Sequence, residues 1–417
     1  MNSTSRDERQ QICVNKWLKS RGVGSLIQPT GCGKTTTAFK CIKKVLSLYP
    51  SFKILVVVPT TNLKEQWEEK LPKWEVSNNV DVIVVNTAIT KQLNYDMLVI
   101  DEIHVMAATS FSKIFSCVNY KLILGLTATL ERIDGKHKLI EKYCPVVDEI
   151  LLIEAMANHW LADYVEYQVL LDVDNIDEYR AINKSFTASL EFFGFDFNLV
   201  LKLSGKNGFE EKKKYTSQMC KDPSRWAEYF KAVNYHAVNC MRKNADKKNF
   251  IYNHSKKLEI AQLIIANRPE SKIITFSNNI RMASAIGGPV YSSKETKKKG
   301  RITLAEFEKL DKGVINTAKK LVAGADIPLV NCEIILGQDS SKTRAVQTRG
   351  RALRKEGDKT SEIFNIVIND TQETKWFNSS HEGSPYITID EENLIKVLNG
   401  EPFDTYKKPI SKFNFRF

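Results

Sequence analysis

No stretch of this chain is apolar for long enough to cross a bilayer, which excludes a protein built around membrane-spanning helices. The opening residues, MNSTSRDERQQ, are polar and carry no apolar signal region, so a cytoplasmic location is expected. Cysteine occurs 8 times but never as a C-x-x-C pair. The irregular spacing of Cys32, Cys41, Cys117 and Cys144 argues against a zinc ribbon and a disulfide framework, and for reduced thiols. Histidine is scarce at 6 residues; His159, His236 and His254 lack ligand spacing, and structural roles are expected for them. Neither an internal repeat nor a long low-complexity tract is present, which sets aside a repeat array.

What is present is an ordinary globular composition with a basic surplus. The 417 residues, 42% hydrophobic and 26% charged, suffice for two or three domains with substantial cores. The net charge of +12 points to a polyanionic partner, most simply nucleic acid, against the plainer reading of a basic, soluble surface.

One stretch organises the rest: Gln28 to Thr35, QPTGCGKT. An apolar run, Gly24–Ile27, leads in, and a helical pattern, Thr35–Leu48, leads out. Strand, glycine loop and helix start is the arrangement that cradles a nucleotide's phosphates. Gly31 and Gly33 allow a sharp turn with N–H groups pointing inward, and the helix N-terminus adds partial positive charge. Lys34 can reach the β- and γ-phosphates of ATP, and the Thr35 hydroxyl can hold Mg²⁺. Pro29, Thr30, Cys32 and Thr36 complete the candidate nucleotide-binding stretch. Gln28 stands where the strict pattern has glycine.

Up to about Glu154, apolar runs alternate with helix-length segments. The runs are Gly24–Ile27, Lys53–Val58, Val80–Val85, Asp96–Ile100 and Lys121–Leu126. This alternation predicts a parallel sheet covered on both faces, with ligands beyond the carboxyl ends of its strands. After the fourth run comes Asp101-Glu102-Ile103-His104, two acids placed to hold Mg²⁺ (Asp101) and to activate the attacking water (Glu102). After the fifth comes Thr127-Ala128-Thr129, small hydroxyl residues that serve as caps or reach toward a second domain.

In this order the segments resemble a superfamily 2 helicase of the DExH type. The resemblance covers both ends of the chain and leaves the middle unfamiliar. It implies that Gln10 lies near the adenine, with Arg6 a candidate for the same role. Val58-Pro59-Thr60-Thr61, with Leu63, Gln66 and Trp67, resembles motif Ia, and Asn86-Thr87-Ala88 resembles motif Ib. Thr60 and Thr87 are thereby implied to contact the nucleic-acid backbone. It also implies that His104, Thr127 and Thr129 couple hydrolysis to strand binding.

The alternation stops from about Ala155 to Asn253, where helical patterns include Asp177–Phe193 and Ser224–Arg242. Between Leu201 and Lys257 stand 14 Lys and Arg against 5 Asp and Glu, which favours phosphate contact. The interleaved Tyr215, Trp226, Tyr229, Phe230, Tyr235, Phe250 and Tyr252 have two readings: the core of a helical insertion, or surfaces for bases. Lys212–Lys214, after Gly205-Lys206-Asn207-Gly208, reads as a basic loop.

Strand-like runs return at Lys272–Phe276, Gly313–Asn316, Asn331–Leu336 and Glu362–Ile368, without a second phosphate loop. Ile274-Thr275-Phe276-Ser277-Asn278 resembles motif IV, and Asn316-Thr317-Ala318 resembles the start of motif V. Ser277, Asn278 and Thr317 are implied phosphate contacts. Gly324 and Asp326 match the second half of motif V, which bears on ATP. Gln347, Gly350, Arg351 and Arg354 meet the motif VI pattern. Spaced by four and three, Gln347, Arg351 and Arg354 share one helix face that can meet the γ-phosphate.

The expected fold is α/β: two RecA-like parallel-sheet domains in tandem, residues 1–154 and 255–377. A mainly helical, basic insertion, residues 155–254, lies between them, and a tail, residues 378–417, follows. The expected activity is nucleic-acid-stimulated hydrolysis of ATP with Mg²⁺. Within the superfamily the chain most resembles phage-encoded DNA helicases that drive branch migration. That implies action on branched DNA in the host cytoplasm, with a monomer expected; the alternatives are an RNA helicase or transcript-release ATPase, a duplex translocase that does not separate strands, and a nucleic-acid-binding module without catalysis.

Overall fold

The computed structural model describes residues 5–108, 110–130, 135–292, 297–318, 327, 330–350 and 360–405, without the side chains of 297, 298, 301, 342–344 and 347. Six strands form the first sheet: β1 (Val23–Ile27), β2 (Ile54–Val58), β3 (Val80–Val84), β4 (Met97–Asp101), β5 (Leu122–Thr127) and β6 (Val146–Glu149). Their order is β3-β2-β4-β5-β1-β6, and every pair is parallel. β2 and β4 are buried along their whole length, so both faces need cover. Helices α1 (Arg6–Lys19), α2 (Lys34–Leu48) and α3 (Thr61–Lys70) supply part of it. Since all six strands run one way, the residues after β1, β2, β4 and β5 gather along one edge.

The second sheet has seven strands: β7 (Tyr164–Leu171), β8 (Lys272–Ser277), β9 (Val290–Ser292), β10 (Gly313–Ala318), β11 (Cys332–Ile335), β12 (Ser361–Ile368) and β13 (Ile387–Ile389). The order is β9-β10-β8-β11-β12-β7-β13, again parallel throughout. β7 differs from the expected helical middle: YVEYQVLL pairs with β12 along its full length, so residues 164–171 belong to this sheet. The tail contributes as well. β13 pairs with β7, and the helix Glu391–Asn399 buries Leu394, Val397 and Leu398 against the same core.

Between β7 and β8 four helices, Ile176–Glu191, Phe197–Ser204, Gly208–Met219 and Trp226–Asn253, enclose a small core of Phe193, Val200, Leu203, Val233, Ala237 and Cys240. Lys212–Lys214, expected in a loop, lies inside the third of these helices. The glycine-containing segment before it forms the turn, and the helix begins at Gly208 itself. Among the described residues, no helix is long and apolar enough to cross a membrane.

Under the second sheet the Lys257 ammonium meets the Glu373 carboxylate at 2.6 Å, both side chains fully buried. Lys257 also donates to the Leu336 carbonyl, and Glu373 accepts from the backbone N–H groups of Gln338 and Ile368. Burial pushes the Lys257 ammonium below its ordinary value and the Glu373 carboxyl above its own, each opposed by its partner. Removing one partner strands the other charge without water. Lys257→Met is expected to cost about 3–5 kcal/mol in urea unfolding, and Lys257→Met with Glu373→Leu to regain most of it. A single-variant loss below about 1 kcal/mol would show that the pair is not desolvated in solution.

Candidate functional site

The phosphate-loop stretch leaves β1 at Ile27 and ends in α2, which begins at Lys34. The backbone N–H of Gln28 still bonds to Thr127 O of β5 at 2.9 Å, which ties the start of the loop to the sheet edge. The side chain of Gln28 does not face the nucleotide side, as expected of it. It is buried, accepting from the Thr37 hydroxyl at 3.2 Å and donating to the Cys13 sulfur at 3.3 Å, so it fastens the loop from beneath. Gly33 has φ 87°, a left-handed conformation suited to glycine, and a methyl group there would run into the Gln10 amide. Gln10 is itself buried, and its Nε2 donates to Cys32 O at 2.9 Å, so it buttresses the loop. Burial pushes the Cys32 thiol up to about 11, which keeps it protonated and inert at neutral pH. Pro29 accepts from Cys32 N in the turn, and Thr30, Gly31, Thr35 and Thr36 remain partly exposed along the loop and helix start.

Across from the loop, Asp101 ends β4 with its carboxylate nearly dry. Trp67 Nε1 donates to Asp101 Oδ2 at 2.9 Å, and the Glu102 N–H donates to Oδ1 at 3.0 Å. Trp67, part of the motif Ia resemblance, is a core residue that reaches the acid pair. Burial, and after it the neighbouring Glu102, raise the Asp101 carboxyl above its ordinary value, against the Trp67 bond and Lys34. Glu102 takes φ 50°, rare for a residue with a side chain, and such strain collects at sites held by their surroundings. The turn brings its Oε1 to 3.8 Å from Lys34 Nζ and its Oε2 to 3.4 Å from His104 Nδ1. Two adjacent acids, one without water, and a hydroxyl on the loop are a donor set that fits Mg²⁺, a hard cation that favours oxygen. Among the described residues, no group of three His, Cys, Asp or Glu side chains could hold a metal alone.

The three expected coupling residues meet. His104 Nδ1 lies 2.9 Å from the Thr127 hydroxyl, which donates to Thr129 O at 2.7 Å and accepts from Thr129 N at 3.2 Å. A hydroxyl has a single proton, already given to Thr129 O, so His104 must carry its own on Nδ1.

The second unit reaches the loop through the helix Lys342–Arg349. A methyl group on Gly350, the next residue, would overlap the Thr30 side chain, so the two backbones approach closely only because Gly350 lacks one. Arg349 fixes the helix. Its Nε stands 2.7 Å from Glu166 Oε2 of β7, and its Nη1 donates to Ser384 Oγ. His381 Nε2 and Asn365 Nδ2 each lie 3.0 Å from Glu166 Oε1. Burial alone would raise the Glu166 carboxyl; Arg349 and then His381 more than offset this and leave it below the ordinary value. Sequence reasoning missed the group, although its signal was there: an acid inside an apolar, strand-like run. The side chain of Gln347, and Gly324, Asp326, Arg351 and Arg354 entirely, lie outside the described residues.

The expected nucleic-acid residues divide in two. Thr87 is exposed, and Thr60 caps α3, its hydroxyl accepting from Leu63 N. Ser277 and Thr317 are buried, their hydroxyls donating to Thr317 O and Thr275 O, so the side chains brace the strand ends. Asn278 packs against Gly337, its Nδ2 buried.

Gly350→Ala is expected to lower ATP turnover at least tenfold in steady-state assays, with the melting temperature nearly unchanged, because the added methyl meets the other unit and not its own core. Glu166 supplies a second expectation. Its lowered carboxyl contributes stability that is full above the unfolded value and lost as pH falls through the folded one. Glu166→Gln is therefore expected to lower the urea midpoint at pH 7 and to flatten its decline between about pH 5 and 3.

With this geometry in hand, residues 4–93 and 85–132 match the family "Type III restriction enzyme, res subunit". A DNA 3'-5' translocase XPB2 of Sulfurisphaera tokodaii is 27% identical over 395 residues, covering 87% of this chain and 81% of the relative. A putative ATP-dependent RNA helicase QP509L of African swine fever virus is 35% identical over 136 residues, 27% of this chain and 26% of the relative. Among solved structures, the Hef helicase domain of Pyrococcus furiosus superposes with TM-score 0.53 at 15% identity, over 90% of this chain and 98% of that one. Dbp5 of S. cerevisiae, bound to RNA and ADP BeF3, gives 0.57 at 10% identity, over 94% and 91%. The structural likenesses give the fold, two RecA-like units in tandem; the family match and the relatives support a superfamily 2 helicase, a nucleic-acid-dependent ATPase.

Proposed function

We propose that the chain is an ATP-driven DNA helicase or translocase that remodels branched DNA, a fork or a four-way junction, by moving along one strand. The observation that carries the reading is the seat of Gly350 against Thr30, which sets the second unit on the phosphate loop of the first. ATP lies along Pro29–Thr36 with Lys34 at its β- and γ-phosphates, while Gln10 and Gln28 hold the loop in shape. Thr35 and Asp101 would hold the Mg²⁺ that accompanies ATP, which would supply neutralisation of charge on the γ-phosphate. Glu102 takes the proton of the attacking water, oriented by Lys34 on one oxygen and His104 on the other. Gln347, Arg351 and Arg354 follow from the motif VI resemblance and complete the site from the second unit, and Gly324 and Asp326 join it from motif V. Closing and opening of the seam shifts the backbone contacts of Thr60, Thr87, Ser277, Asn278 and Thr317 along the strand. Because they go to phosphates, little sequence preference is expected.

DNA is preferred over RNA because the relative that spans 87% of this chain is described as a DNA translocase, whereas the relatives described as RNA helicases span 27% to 34%. A phage origin, a place in recombination or repair, and action as a monomer belong to the same reading. The test compares ATP turnover on single-stranded DNA, duplex, a four-way junction and an RNA duplex, beside displacement of a labelled strand. Junction DNA is expected to stimulate best. Glu102→Gln is expected to cut turnover about 10²–10⁴-fold, and Lys34→Ala to abolish strand movement. If both variants keep full displacement, ATP does not drive the activity; if only RNA is displaced, the substrate assignment is wrong.

A further inference from the structure

Three aromatic rings of the insertion stand outside its core. That core takes Tyr215 and Tyr229 as flanking residues but not Phe209, Trp226 or Phe230. These three pack on one another. Trp226 and Phe230 are stacked, centroids 5.0 Å apart and planes 7° from parallel, and Phe209 meets Phe230 edge-on at 5.8 Å. Phe209 is 60% exposed. Trp226 is pinned by a hydrogen bond from its Nε1 to Ser217 Oγ at 3.0 Å, and the Lys213 ammonium stands 4.3 Å from the centre of the Phe209 ring. With Trp226 and Phe230 half-buried and held in place beside an exposed Phe209, the cluster forms a ready contact surface.

The surroundings say what it contacts. Lys206, Lys214, Lys221 and Lys231 lie within five residues of these rings in sequence and are all exposed. They make no ion pair among the described residues, whereas Lys202, Lys213 and Arg225 pair with Glu211, Glu210 and Glu228. An apolar protein partner would match apolar surroundings; the segments that carry these rings bear exposed lysines, unpaired among the described residues, which suit phosphates. The position fits as well. The helix that begins at Trp226 runs 28 residues, about 40 Å, to Asn253. There Asn253 accepts from the Asn279 amide at 2.8 Å, and the Tyr252 hydroxyl donates to Gln338 O. The rings are thus carried on a rod whose base is fixed beside the end of β8, the edge where strand contacts are proposed.

We propose that Phe209, Trp226 and Phe230 form a stacking platform for unpaired bases at the fork of a branched DNA, with the neighbouring lysines on the adjoining phosphates. The inference rests on the proposed nucleic-acid function. A flat aromatic face accepts any base, so the platform recognises unpairing rather than sequence.

The test uses the full chain and a DNA fork whose first three unpaired positions carry either bases or abasic sites. The wild type is expected to bind the intact fork about tenfold tighter than the abasic one. Phe209→Ala, at an exposed position, is expected to lose that preference while keeping duplex-stimulated ATP turnover within twofold, and Phe209→Trp to restore it. Equal wild-type binding to both forks, or full affinity in Phe209→Ala, overturns the platform. A change in oligomeric state of Phe209→Ala by light scattering, with fork affinity intact, overturns it too and assigns the face to a second copy of the chain. Absence of nucleic-acid-stimulated ATP turnover in the wild type counts against the proposed function, while the abasic comparison still decides the platform.

Discussion

The docking of the two units turns on one dry carboxylate. Glu166 sits in the middle of β7 with no water around it, and Arg349, His381 and Asn365 converge on its two oxygens. A buried ion pair of this kind adds little to net stability, but losing one partner strands the other charge away from water. Arg349 ends the helix Lys342–Arg349, so the pair sets where Gly350 emerges and therefore what meets Thr30. The strand that carries Glu166 is flanked by β12 and by the late-arriving β13, which joins the tail to the same arrangement. Residues far apart in sequence thus position a single turn of backbone.

The first unit solves a related problem with less freedom. Its acid pair sits close to a lysine, with Asp101 buried and Glu102 partly exposed. Asp101 is immobilised by an indole and a backbone N–H, neither of which neutralises it. Glu102 is thrown sideways by a strained backbone into the space between Lys34 and His104. The cost of two adjacent acids is offset in part by the Trp67 bond to Asp101 and by Lys34 and His104 beside Glu102. His104, with its proton fixed on Nδ1 by Thr127, links this acid to the end of β5.

Much of this was legible in the order of residues. Continuous apolar runs read directly as β2, β4, β5 and β12, because a parallel strand buried on both faces leaves no room for polar alternation. The phosphate loop and Asp101-Glu102-Ile103-His104 were plain because loop chemistry needs fixed residue types at fixed spacing. The failures have physical causes. β6, β9 and β13 are too short to carry a pattern. β7 was overlooked because Glu166 and Gln168 break its apolar face, and those are the residues that make the buried polar contacts. Gln28 was read among the nucleotide contacts because it opens the glycine-loop stretch; nothing local to it signals that Thr37 and Cys13 draw its amide inward. Partners supplied from far along the chain leave no mark on neighbouring sequence.

The long helix of the insertion has a mechanical consequence. It is anchored at Asn253 and Tyr252 and extends about 40 Å to Trp226. A tilt of about 5° at that base sweeps the tip through about 3.5 Å, close to the 3.4 Å spacing of nucleotides along one strand. Any small change of angle where Tyr252 touches Gln338 therefore moves the tip further than the base, as in a crane whose boom is far longer than its turntable.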